Sequence, residues 1–173
     1  MARSDSAALR LASGVLRLLI VLNWLMGAAI LVLLLVVPNE RWIMSALDLV
    51  PSPEARRVVM GLRAVAAIGL VGVPINYLVL ARLLAMVRTV SLGDPFDAAN
   101  ASRLRTIAWA LLALQLMSLV VGAIARAVST PAHPVHLDAG FSINGWLAVL
   151  LTFVLARVFA EGATMRDDLA GTV

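Results

Sequence analysis

The chain has 173 residues, 62% of them apolar and 14% charged, with a mean hydropathy of +0.97; a soluble domain runs nearer about one half and about one quarter, so the apolar excess must face a bilayer. The net charge of +4 comes from arginines alone, spread along the edges of the apolar segments. That suits anionic headgroups and excludes a clustered nucleic-acid patch, while the absence of cysteine excludes disulfide scaffolds, thiolate metal sites and cysteine nucleophiles.

The first apolar run covers 15–37, interrupted by Arg17 and Asn23 and stopped by Pro38. It is too long for the apolar region of a signal peptide and no small-x-small site follows it, so it reads as a retained transmembrane helix. Beyond Pro38, Trp42, Ile43, Ala46, Leu47 and Val50 recur at helical spacing and predict a short helix on the outer surface. The second run covers 58–87. Ser52, Pro53 and Glu54 supply a hydroxyl cap, a first-turn proline and an acid in order, so this helix is expected to begin at Pro53.

Residues 93–105 form a connecting elbow. Gly93 breaks the second helix, Asp94 caps, Pro95 takes the first helical position and Asp97 favours the helix dipole. Phe96, Leu104 and Ile107 are expected against the membrane, with Arg103 and Arg105 reaching phosphates. The third run, 106–124, and the fourth, 143–162, are each long enough to cross a core of about 30 Å. Residues 163–173 form a tail. With the N-terminus inside, Arg3, Arg10, Arg17, Arg82, Arg88, Arg103, Arg105, Arg157 and Arg166 lie on the inner side, against Arg41, Arg56, Arg57, Arg63 and Arg126 outside. This bias places both termini in the cytoplasm. Trp42 and Trp146 then fall at the outer edge and Trp109 at the inner edge.

Polar residues inside the spans are the candidate sites. Asn23, Asn76 and Gln115 share a depth of about 10–14 Å from the inner edge at 1.5 Å per residue, which predicts that they point inward and that at least two of them share a hydrogen-bond network. Two readings stand: interhelical glue, worth about 0.6 kcal/mol per bond, or part of a substrate or ion pathway. Pro74 cannot donate to the Leu70 carbonyl and predicts a kink beside the Gly69, Gly72 and Asn76 face. Gln115, Ser118, Gly122 and Arg126 make a second polar, small-residue stripe that should face the bundle. Arg157, about 7 Å inside the inner edge by helical rise, needs a partner or a snorkelling path. Glu161 at i+4, or Asp94 and Asp97 of the elbow, would serve, with the fourth helix continuing to about Asp168. In the outer loop, His133, His136 and Asp138 have zinc- or copper-ligand chemistry, but Pro131 and Pro134 oppose a helix that would align them, so the loop is read as solvated with no metal. No span pairs a nucleophile with a base, and the glycines match no phosphate or dinucleotide loop, so no enzyme and no cofactor is expected.

Gly93, Pro95, Phe96, Asn100, Arg103 and Leu104 resemble the loop signature of the bacterial domain-of-unknown-function 2975 family, and Phe159, Gly162, Leu169, Thr172 and Val173 resemble its C-terminal signature. The resemblance implies a small four-span bacterial membrane protein without an assigned activity, often encoded beside a small helix-turn-helix regulator. It carries over no catalytic or ligand residue. The expected architecture is an all-α, integral membrane four-helix bundle in a bacterial inner membrane. The expected role is non-enzymatic binding or signalling to a cytoplasmic or membrane protein through the elbow (Gly93, Asp94, Pro95, Phe96, Asn100, Arg103) and the Arg157–Glu161 end. Membrane lipids and a second copy are further expected partners, and nucleic acid is not. A small transporter or channel with a polar site in the inner half is the rival.

Overall fold

The computed structural model describes residues 2–36, 45, 52–92, 97–129 and 139–170. Four helices run through them: α1 (Ala2–Val36), α2 (Pro53–Ser91), α3 (Ala98–Val128) and α4 (Ile143–Ala170), with no strand among the described residues. All four are long and apolar enough to cross a membrane. An apolar chain in lipid has no other local solution, because each backbone N–H and C=O must bond within its own segment. The protein is therefore an all-α, multi-pass membrane protein.

Each boundary has a chemical cause. Ser52, extended at φ −147° and ψ 163°, accepts the Ala55 N–H on its hydroxyl at 3.0 Å. Pro53 follows at the first position, where a missing N–H costs nothing. At the start of α3 the Asp97 carboxylate accepts the Ala99 N–H at 2.9 Å. Here the elbow departs from expectation: the described helix is capped by Asp97, not by Asp94, and it runs unbroken into the third span. Asp94, Pro95 and Phe96, with Gly93, lie outside the described residues, as do the surface segment around Trp42 and the His133–His136–Asp138 group. Ser142 caps α4 by accepting the Gly145 N–H at 3.2 Å.

The helices touch in chain order: α1 packs on α2, α2 on α3, and α3 on α4, while α1 packs on neither α3 nor α4 among the described residues. The bundle is thus open. In the most apolar window of each helix, 22% of α2 and α3 is buried, against 6% of α1 and 11% of α4, so the outer pair present most of their surface to lipid. Glycine sets the close approaches. A Cβ on Gly27 would stand 2.8 Å from Val73 Cγ1, and one on Gly122 would stand 2.7 Å from both the Ala139 oxygen and the Gly140 Cα. Between α2 and α3, Val79, Ile107 and Ala110 form a buried cluster with Leu83, Met86 and Leu111 against it.

Candidate functional site

Pro74 sits inside α2, which continues through it, and denies the Leu70 carbonyl its usual donor. One residue earlier, the Val73 carbonyl receives Asn23 Nδ2 of α1 at 3.0 Å, and Asn23 Oδ1 accepts Asn76 Nδ2 at 2.9 Å. Gly27, one turn beyond Asn23, keeps the two backbones close enough for this. Trp24 and Tyr77 tilt against each other beside it, centroids 5.5 Å apart.

Two of the three amides share a hydrogen bond, and the third stands apart. Asn23 and Asn76 bond directly; Gln115 lies on the other side of α3, where its carboxamide rests against Gly145 of α4. Depth along a helix fixes height, and the angular position, which decides the seam, differs. Gln115 is buried at 9% exposure, and its Nε2 has no hydrogen-bond partner. Asn76, expected inward, is exposed. On α2 it lies three residues from Val73, which faces α1, and four from Gly72, whose face meets Met117 and Leu114 of α3. Asn76 therefore lies at the floor of a trough between α1 and α3, and the trough stays open because those helices do not meet.

Where α2 gives way to α3, Asn100 is fully buried. Its Nδ2 donates to Thr89 Oγ1 at 2.9 Å, and that hydroxyl hands its single proton to the Met86 carbonyl at 2.8 Å. Arg103 Nη1 then donates to Asn100 Oδ1 at 2.7 Å. Leu104 and Ile107 are buried with it. The expectation that Leu104 and Ile107 lie against lipid while Arg103 reaches for phosphate is therefore corrected: α3 turns this face onto α2. Arg157 donates to Glu161 Oε1 at 2.6 Å, the i+4 partner anticipated from spacing, on a surface where the two side chains are 76% and 52% exposed.

At the opposite end of α3, its polar stripe meets the residues that lead into α4. The Ser118 hydroxyl accepts the Gly140 N–H at 3.1 Å and faces the Gly140 carbonyl at 3.3 Å. Gly140 has φ +130°, a conformation open to glycine, and Gly122 gives it room. Ser118 lies ten residues before the end of α3, about 15 Å below it at 1.5 Å per residue. Gly140 therefore lies well back along α3 from Val128, and α4 starts just after it. Trp146, expected at the outer edge, is carried down with it, stacked on Phe141 with centroids 6.4 Å apart, and its Nε1 is buried without a partner. The sequence marks this entry with Gly140, then Ser142, then Gly145. A cleft of about 290 Å³ between α2 and α3, lined by Ile68, Val71, Leu116, Met117 and Val120, is wholly apolar. No group of three metal-ligating side chains occurs among the described residues.

The family model described as protein of unknown function (DUF2975) matches residues 35–173. No curated protein and no solved structure matches the chain.

Proposed function

The chain belongs to the DUF2975 family, and on that premise we propose that it is a non-enzymatic protein of a bacterial inner membrane, both termini cytoplasmic, that recognises another protein within the bilayer. The observation that supports this reading is Asn76. Its carboxamide donates once to Asn23, leaving a second N–H and the carbonyl oxygen turned to the trough at bilayer depth. Polar capacity in hydrocarbon favours a partner that brings its own. The occupant that fits is a transmembrane helix of a partner protein carrying an amide or hydroxyl at that depth. Carboxamides and hydroxyls at this level do not titrate near neutral pH, which supports binding over acid–base chemistry. The transport reading draws instead on the non-helical backbone of Gly140 ahead of α4, since transporters bare backbone groups at helix breaks.

A photoreactive residue at Leu80, one turn from Asn76, tests the partner reading in cells. It should capture a heterologous membrane protein, and Asn76→Leu should abolish that capture. A product at twice the chain's mass would identify a second copy in the trough instead. Capture of lipid alone, or capture indifferent to Asn76→Leu, would count against it. Orientation is tested separately: single cysteines at Ser4, Ser91 and Ala170 should resist an impermeant thiol reagent in intact cells while one at Ser129 reacts.

A further inference from the structure

The α4 entry gathers hydrogen-bond donors with nothing to receive them. The first helical bond of α4 runs from the Trp146 N–H to the Ser142 carbonyl at 3.1 Å, and Ser142 Oγ takes the Gly145 N–H. The Ile143 and Asn144 N–H groups ahead of these have no acceptor among the described residues. They sit where the helix dipole is positive. Two side chains face the same turn. Gln115, nine-tenths buried, lays its carboxamide on Gly145, where a Cβ would collide with it, and its Nε2 is sealed and unpartnered. The Trp146 ring leans back toward the helix start, as helical side chains do, and its Nε1 is likewise sealed and unpartnered. Toward the outer side, Arg126 Nη1 lies 3.7 Å from where a Cβ on Gly140 would be.

The two sealed, unpartnered side-chain atoms of this cluster are both donors, and the charge beside it is positive. Arg126 belongs to the last turn of α3, and its guanidinium beside the start of α4 gives a bound anion a counter-charge. Two separated, buried N–H donors suit a small planar acceptor with two oxygens. Phe141 is 71% exposed and stacks on Trp146, so a rotamer change of an exposed ring opens the way in. We propose that the start of α4, with Gln115 and Trp146, binds a carboxylate that enters past Arg126 from the outer side. Gln115 and Trp146 grip its two oxygens and the α4 N–H groups face its charge. The carboxylate belongs either to a soluble acid or to the head of a fatty acid lying along the exposed Ile143 and Leu147 surface. This site is separate from the Asn76 trough and stands or falls without it.

The test uses the full chain in phosphatidylcholine nanodiscs, with indole nitrogens labelled and the Trp146 signal assigned from Trp146→Phe. Sodium dodecanoate and sodium acetate are the two probes. The Trp146 N–H resonance should move downfield and saturate. Saturation by acetate assigns a soluble carboxylate, and saturation by dodecanoate alone assigns a lipid one. Gln115→Glu, which replaces the donor by a like charge, should weaken binding at least about tenfold, and Arg126→Gln should weaken it about threefold. The signals of Trp24, Trp42 and Trp109 report whether each variant stays folded; Gln115→Leu substitutes if Gln115→Glu does not. A Trp146 signal that never moves, one that drifts in step with the other three indoles, or an affinity unchanged in a folded Gln115 variant overturns the proposal.

Discussion

On the α1–α2 seam, Gly27 brings two helices together and Asn23 uses both ends of its carboxamide, one on the Val73 carbonyl and one on Asn76. On the α3–α4 seam, Gly122 and Gly145 bring the chains closer still, yet Gln115 keeps an unpaired donor behind a wall of protein. The better satisfied amide pair is the more exposed one. Burial and hydrogen bonding are usually expected to rise together, so their separation here sorts the two seams by purpose. The first is held by its polar contact, whereas the second is held by backbone proximity and tolerates a polar group that contributes nothing to holding it.

That contrast is sharpest in the glycines. Gly122→Ala drives a methyl into backbone atoms of Ala139 and Gly140 that cannot swing aside, and it should cost about 3 kcal/mol, measured as unfolding free energy in mixed detergent micelles. Gly145→Ala meets the end of a long side chain, and should cost below about 1 kcal/mol. Equal losses would mean that the α3–α4 seam does not depend on the backbone contact of Gly122 with Ala139 and Gly140.

The amides come next. Asn23→Leu should cost about 1–1.7 kcal/mol, and a double-mutant cycle with Asn76→Leu should return a coupling of about 0.6 kcal/mol. Gln115→Leu, by contrast, removes a buried donor that has no partner and should be neutral or stabilising by up to about 1 kcal/mol in the same assay. A loss at Gln115 as large as that at Asn23 would erase the distinction between the seams.

The smallest effect belongs to an ion pair that lies on neither seam. Arg157→Glu should cost less than about 0.5 kcal/mol, because its partner is a solvent-side neighbour on the same helix. Adding Glu161→Arg should restore the starting value. A larger loss would show that this end of α4 is held against something beyond its own helix.

The spans were legible because twenty apolar residues have few fates, and Ser52-Pro53 marked the start of α2 in letters. The Arg157–Glu161 pair was legible because i+4 spacing is local. Counting depth picks out Asn23, Asn76 and Gln115 together, but one dimension cannot say which two of them meet, and they are Asn23 and Asn76. Leu104 and Ile107 failed for the same reason: apolar side chains read alike whether they face lipid or α2. Asn100 carried part of the family resemblance, yet its burial under Thr89 and Arg103 depends on a contact between helices that no local pattern encodes. The entry into α4 was hidden most deeply, since only the hydroxyl of Ser118, twenty-two residues earlier, explains why Gly140 sits where it does.

The chain-order packing of the helices has a consequence for synthesis. Asn23 reaches the membrane before its partner exists, since the Val73 carbonyl is 50 residues further along. At about 5–20 residues per second this leaves the amide waiting roughly 3–10 s. From then on each newly made helix finds its docking surface already in place beside it: α2 closes on α1, α3 on α2, and α4 slots against α3. No early helix is held back for a late one. A nascent chain halted after α2 would already contain one complete seam, with Gly27, Asn23 and Asn76 all in their final relation.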